Sequence, residues 1–207
     1  MRDLNRRYFR EAYRTGEHRW PVTEPSPEVV RALERLKHEM PGGRLLDLGC
    51  GEGRHAIAAA ELGFRVTGID FEPLALRRAR DQARRAGVKG ILFRRADVLC
   101  LPFRNDSFDV VIDYGCLHHQ RKSDWPAYLS GLLRVLAPRG DYVLTVFSPR
   151  FSLFLGSRRP WHRAYGSYRR AFTRRDLLGL FGRDFEFLDL TEDRARGFWH
   201  ALLQRRI

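Results

Sequence analysis

Leu45-Leu46-Asp47-Leu48-Gly49-Cys50-Gly51-Glu52-Gly53 is the stretch that decides how this chain folds. The apolar run Leu45 to Leu48 predicts a buried strand, and the alanine-rich stretch Arg54 to Leu62 predicts the helix that follows it. Glycines between a strand and a helix let the backbone turn sharply and approach a ligand closely. The start of the helix adds unpaired N–H groups. Those features describe any nucleotide-binding sheet, and Asp47 narrows them. A carboxylate just ahead of the first glycine repels a pyrophosphate and suits a cationic amino group.

Working outward, Phe64 to Ile69 reads as a second strand and closes on Gly68-Ile69-Asp70. An acid at that strand end can accept hydrogen bonds from both hydroxyls of a ribose. Ile91 to Arg95 reads as a third strand, followed by Ala96-Asp97-Val98, where Asp97 can accept from the exocyclic amine of adenine. Carboxylates at three successive strand ends fit an adenosine that carries an amino-acid tail. Pro73 to Ala86 reads as a helix with Ala75, Ala79, Ala83 and Ala86 on one face, stopped by Gly87. Phe108 to Asp113 is a fourth strand and Asp141 to Phe147 a fifth. Between them, Trp125, Tyr128, Leu129, Leu132, Leu133 and Leu136 mark one face of a helix that ends before Pro138. Alternation of this kind gives an α/β protein with a mostly parallel sheet covered on both faces.

As an ordered set, these motifs resemble the class I S-adenosylmethionine (SAM)-dependent methyltransferase family over Arg44 to Phe147. Asp47 to Gly53 is similar to its glycine loop, Asp70 to its ribose-binding acid and Ala96 to Phe103 to its adenine-side segment. Ser107 to Asp113 resembles its fourth strand. Leu136 to Tyr142 resembles its turn into the fifth strand, with Arg139 where a glycine is usual. The resemblance implies a Rossmann-like fold: a mostly parallel seven-stranded sheet, helices on both faces and an antiparallel last strand. It implies SAM as cofactor, held by Asp47, Gly49, Cys50, Gly51, Gly53, Asp70, Phe71, Asp97, Val98, Asp113 and Tyr114. Ala12 to Pro21 is also similar to a segment of the thiopurine and tellurite-resistance type small-molecule methyltransferases. By that likeness Trp20 folds over the donor, joined by Tyr13 and Arg19 on the substrate side; the alternative is a packing arm.

The same resemblance implies displacement at the sulfonium methyl by an acceptor sulfur, oxygen, nitrogen or carbon. Alignment of the reacting atoms is then the main contribution of the protein. A base matters only if the acceptor holds its proton. His118 and His119, just past the fourth strand, are the candidate catalytic residues, since an unperturbed imidazole titrates near ~6.5. The plainer reading has one of them packing and the other capping the next turn. Tyr114 can touch donor or acceptor, and Asp113 can satisfy backbone instead of ligand.

The chain reads as one domain over 1–207. It comprises a helical cap (1–40), a SAM-binding core (41–147), a basic aromatic insertion (148–175), and a C-terminal helix with edge strands (176–207). Arg150 to Arg175 holds eight arginines and no acid, interleaved with aromatics that include Trp161, Tyr165 and Tyr168. Three readings stand: a lid over an anionic acceptor, with Trp161, Tyr165 and Tyr168 on the substrate; a nucleic-acid surface; or a solvated loop whose aromatics fill the core.

A length of 207 residues supports one substantial core. The net charge of +13 favours anionic partners or simply reflects an arginine-rich composition. Three cysteines, Cys50, Cys100 and Cys116, with no C-x-x-C pair, predict buried reduced thiols and no metal site. With no apolar run of ~18 residues and no secretory leader, the expectation is a cytoplasmic protein without a membrane partner. The leading expectation is methyl transfer to a small-molecule acceptor, with an anionic acceptor as one option. Methylation of RNA comes second, though Asp113-Tyr114-Gly115-Cys116 lacks the N/D-P-P-Y pattern of amino-group nucleic-acid methyltransferases. A nicotinamide-dependent oxidoreductase and a non-catalytic SAM-binding protein complete the set.

Overall fold

The structure is a computed structural model that describes residues 2–18, 20, 23–164 and 166–207, with backbone alone at 2–4 and 164. Arg19 and Tyr165, both expected at the substrate, lie outside the described residues. In chain order the elements are α1 (Arg2–Thr15), α2 (Pro27–Glu39), β1 (Arg44–Leu48), α3 (Arg54–Glu61), β2 (Arg65–Asp70), α4 (Pro73–Arg85) and β3 (Leu92–Arg95). They continue as β4 (Phe108–Tyr114), α5 (Trp125–Val135), β5 (Leu136–Phe147), β6 (Trp161–Ala164), β7 (Ser167–Arg170), α6 (Arg174–Phe181), β8 (Phe185–Asp193) and β9 (Phe198–Arg205).

Seven strands form one sheet in the order β3-β2-β1-β4-β5-β9-β8. The first five are mutually parallel, and β9 runs antiparallel to both β5 and β8. The connections step outward from β1 to β3 and then, through β4 and β5, in the opposite direction. That reversal opens a crevice between β1 and β4 at their carboxyl ends, the usual ligand position in such sheets.

Strand alternation sorts the core into two layers. Leu46, Leu48, Val111, Tyr142 and Leu144 face α5 and α6. Leu45, Val66, Val110, Ile112 and Val143 face the apolar stripes of α2, α3 and α4. Both faces of β1 and β4 are therefore buried, which is why their sequences are nearly unbroken apolar runs.

Three expectations are corrected. Ser148 to Thr173 reads from the sequence as loop-rich, without strands, yet β6 and β7 pair there as a hairpin from Trp161↔Arg170 to Ala164↔Ser167. Cys100 is exposed; Cys50 is the buried thiol and Cys116 is half-buried. Strand β5 begins at Leu136, directly after α5, and its register against β4 shifts between Phe108 and Val110. Arg139 sits in that irregular stretch at φ +61°, a left-handed conformation that costs a side-chain-bearing residue about 1–2 kcal/mol. Glycine avoids that cost.

Candidate active site

The loop after β1 turns through Gly49, Gly51 and Gly53, all at positive φ (66°, 56° and 86°). A Cβ on Gly51 would stand 2.8 Å from the hydroxyl of Tyr13, so this position keeps its close approach to a neighbour only as glycine. Gly53 differs from the other two. It starts α3, and a Cβ there would meet Ala79 and Phe93 at 3.0 Å. Gly53 was expected at the cofactor, but it packs α3 against α4 and does not line the cavity.

Asp70 ties the loop to β2. Its Oδ2 accepts from Gly51 N at 3.0 Å and its Oδ1 from Glu72 N at 2.8 Å. Each carboxylate oxygen keeps a second lone pair for a ligand hydroxyl. Burial lifts the Asp70 carboxyl to about 6. Asp47 is buried deeper in the crevice, at 1% exposure, and its Oδ2 has no hydrogen-bond partner among the described residues. Burial pushes Asp47 up to about 7, opposed by the nearby Arg54 guanidinium. A buried carboxylate oxygen with no protein donor is costly unless a ligand supplies one.

Asp97 receives Leu99 N on Oδ1 at 2.9 Å and Arg6 Nη2 on Oδ2 at 2.7 Å. Arg6 reaches down from α1 and also lies 5.8 Å from the Phe71 ring centre. Helix α1 roofs the crevice through further contacts. Asn5 donates to the His119 carbonyl at 2.7 Å, and Arg10 stands 3.5 Å from Glu72. Behind it, Tyr13, His18 and Trp20 form an aromatic group with rings 5.3–5.7 Å apart, and His18 pairs with Glu52 at 3.2 Å.

At the end of β4 neighbouring side chains part. Asp113 was expected at the cofactor, but it is fully buried and lies outside the cavity lining. Its carboxylate accepts from Cys116 N at 2.6 Å, Leu117 N at 2.9 Å and the Tyr128 hydroxyl. It therefore holds the turn that carries the histidines. Tyr114 takes the cavity position instead, with the Arg54 guanidinium 4.8 Å from its ring centre and the His55 ring 4.8 Å away.

His118 and His119 follow in a short 3₁₀ turn, their rings 4.6 Å apart. His118 stacks on Phe147 at 3.7 Å and 13°, and its Nδ1 accepts from Phe147 N at 3.3 Å. His119 Nδ1 lies 2.8 Å from the Tyr168 carbonyl of β7. Burial holds both imidazoles neutral, pushing His118 well below the ordinary range and His119 to about 4.

One cavity of about 1090 Å³ joins these groups. Asp47, Gly49, Cys50, Gly51, Asp70, Phe71, Asp97, Val98, Tyr13 and Trp20 line the half beside the glycine loop, and Tyr114, His118 and His119 the centre. The far wall was not anticipated: Phe147, Phe151 and Phe198, with Arg54 and Arg196 beside them. Phe151 lies 4.0 Å from Phe147, and Phe198 lies 5.3 Å from both. Trp161 and Tyr168 do not line the cavity; they stack on each other at 6.3 Å, with Arg159 over Trp161. From β7 only Arg169 reaches it, while the backbone of Tyr168 binds Asn5 and His119.

A switch-point crevice with a glycine loop and carboxylates at three successive strand ends is the ligand-binding edge of an α/β protein, suited to a nucleoside that carries a cationic tail. Residues 45–140 match the model of a methyltransferase domain. The chain is 30% identical over 128 residues to the 2-heptyl-1-hydroxyquinolin-4(1H)-one methyltransferase of Mycobacteroides abscessus, covering 62% of this chain and 55% of that one. It is 35% identical over 137 residues to a ribosomal protein L11 methyltransferase of Thermus thermophilus, covering 61% and 50%. The chain thus spans about half the length of the curated relatives it matches. The fold superposes with a TM-score of 0.75 on the Burkholderia thailandensis 1,6-didemethyltoxoflavin-N1-methyltransferase crystallised with S-adenosylhomocysteine, at 25% identity over 99% of this chain and 88% of that one. The core over residues 45–140 is thus a methyltransferase domain, set in a methyltransferase fold. The matched domain and the S-adenosylhomocysteine-bound neighbour support SAM as the cofactor.

Proposed function

We propose that this protein methylates a small, flat acceptor lodged between the donor and the Phe147–Phe151–Phe198 wall. The observation that carries the reading is the unpartnered, buried Asp47 Oδ2 at the base of a cavity too large for the donor alone. The matched relatives that act on a quinolone and on a toxoflavin precursor support the small-molecule acceptor.

When bound, SAM supplies an electrophilic methyl group on a sulfonium centre. In this reading Asp47 holds the ammonium of its amino-acid tail, and Arg54, beside Asp47, its carboxylate. Asp70 accepts from the ribose, Asp97 and Phe71 flank the adenine, and Tyr13 and Trp20 close over the loop. The aromatic wall orients the acceptor and excludes water, so that alignment carries most of the rate enhancement. Arg169 and Arg196 around the acceptor space suit an anionic acceptor. Three free cysteines suit a reducing, cytoplasmic setting, and among the described residues no helix is long and apolar enough to cross a membrane.

Calorimetry tests the reading. SAM and S-adenosylhomocysteine bind and NAD does not. Asp47→Ala weakens both adenosyl ligands by about 10- to 100-fold, as expected for a buried charge-assisted hydrogen bond of ~1.5–3 kcal/mol. Binding of NAD, or an unchanged affinity in Asp47→Ala, would overturn it.

A further inference from the structure

The two histidines at the centre of the cavity look interchangeable in the sequence, but their backbone partners make them chemically opposite. At His118, the partner of Nδ1 is the N–H of Phe147, which can only donate. Nδ1 therefore holds a lone pair, and the proton of the neutral ring sits on Nε2. At His119, the partner of Nδ1 is the carbonyl of Tyr168, which can only accept. There Nδ1 carries the proton, and Nε2 keeps the lone pair. Neither Nε2 has a hydrogen-bond partner among the described residues, and both rings line the cavity. The cavity thus presents one N–H donor and one nitrogen acceptor, on rings whose centres lie 4.6 Å apart, beside an aromatic wall.

We propose that His119 Nε2 receives the proton of the acceptor while His118 Nε2–H holds the acceptor by a donated hydrogen bond, and that the substrate class is a planar heteroarene carrying both an O–H or N–H and a carbonyl. This inference rests on the methyl-transfer reading above. In the reaction, the lone pair of the acceptor oxygen or nitrogen forms the bond to the methyl carbon. The C–S bond breaks with its electron pair left on sulfur, and the acceptor's proton ends on His119 Nε2, from which water removes it.

A weakly basic imidazole is sufficient here. Methylation turns the acceptor atom into a strongly acidic onium centre, so even a base held near 4 by burial takes its proton downhill. The same weak basicity keeps His119 uncharged at neutral pH, and its lone pair stays available. The tautomers are fixed by two elements far apart in sequence. Phe147 ends β5, and Tyr168 belongs to the β6–β7 hairpin, so the hairpin contributes a carbonyl that orients His119 and not its aromatic side chains.

The test can be run before the natural acceptor is identified. Long-range ¹H–¹⁵N spectra of histidine-labelled protein at pH 7, assigned with His118→Gln and His119→Asn, are expected to show His118 protonated at Nε2 and His119 at Nδ1. Calorimetry on the S-adenosylhomocysteine-saturated protein then compares 2-heptyl-1-hydroxyquinolin-4(1H)-one with its 1-methoxy ether. The wild type prefers the hydroxy compound by about tenfold, His119→Asn (which can still donate to the Tyr168 carbonyl) shows less than about a twofold preference, and His118→Phe weakens both compounds alike. Reversed or charged rings, a preference that survives in His119→Asn, or no binding of either compound to the loaded protein would overturn the inference. Loss of S-adenosylhomocysteine binding by the wild type would instead overturn the methyl-transfer reading itself.

Discussion

At Asp47 the structure couples ligand binding to a proton. Its carboxyl stands near 7, raised by burial, so close to half of the ligand-free molecules carry it protonated at neutral pH. An ammonium group binds the ionised form, and binding therefore releases a proton. Affinity for SAM is expected to fall about fivefold as pH drops from 7 to 6, to approach a tenfold fall per pH unit below that, and to level off above 8. Calorimetry in buffers of different ionisation enthalpy would read the proton directly; a binding heat independent of buffer at pH 7 would contradict it. At this scale the placement of Asp47, Asp70 and Asp97 on the cavity was legible in the sequence, because the carboxyl ends of successive parallel strands meet at one edge of the sheet. Asp113 and Tyr114 were not separable, since both close the same strand. Alternation sends Asp113 toward the Tyr128 hydroxyl in the core and Tyr114 toward the cavity.

Two elements frame the cavity from outside the parallel part of the sheet. Helix α1 is held over the donor half partly by the Arg6–Asp97 pair, whose arginine is 41% exposed. A pair that open contributes at most about 1 kcal/mol, so Arg6→Ala is expected to leave the melting temperature nearly unchanged and to speed S-adenosylhomocysteine release up to about fivefold in stopped-flow. At the other end, the β8–β9 turn closes through Gly197 at φ +75°, where a Cβ would fall 2.2 Å from Phe151 N. Gly197→Ala must displace the segment carrying Phe151, and chemical denaturation should show a loss of about 3 kcal/mol with a weakened acceptor site. Neither contact had a signal in the sequence. The parallel core announces itself by unbroken apolar strands, whereas α1 is rich in arginine and joins the site through pairs 62 or more residues apart. The β6–β7 hairpin escaped for a related reason. Its four-residue strands are rich in arginine, and Trp161 remains 37% exposed, so no apolar alternation marks it.

Over the whole molecule the buried titratable groups pull stability in opposite directions. Asp47, Asp70 and Asp113 rise from 3.8 to about 7, 6 and 6 on folding. The stability linked to them is fully present below pH 3.8 and is lost as pH rises through 6 and 7. His55, His118 and His119 fall from 6.5, so their contribution is present above that value and is lost as pH falls beneath it. The two ramps overlap between pH 3.8 and about 7 and largely cancel, so urea titrations of the ligand-free protein should find an unfolding free energy nearly flat across that window; a steep fall as pH rises through it would show that the imidazoles do not offset the carboxyls as described. The sheet order carries a further consequence for biosynthesis. Strands β1 to β4, which present the donor acids, precede Phe147, whereas Arg196 and Phe198 arrive with the inserted antiparallel strand β9. A growing polypeptide released from the ribosome as far as Phe147 already possesses the nucleoside cradle but only one of the three phenylalanines that bound the opposite chamber. The order of translation therefore separates the two halves of the pocket in time: the half that carries the three strand-end carboxylates is assembled first, and the half closed by the aromatic wall last.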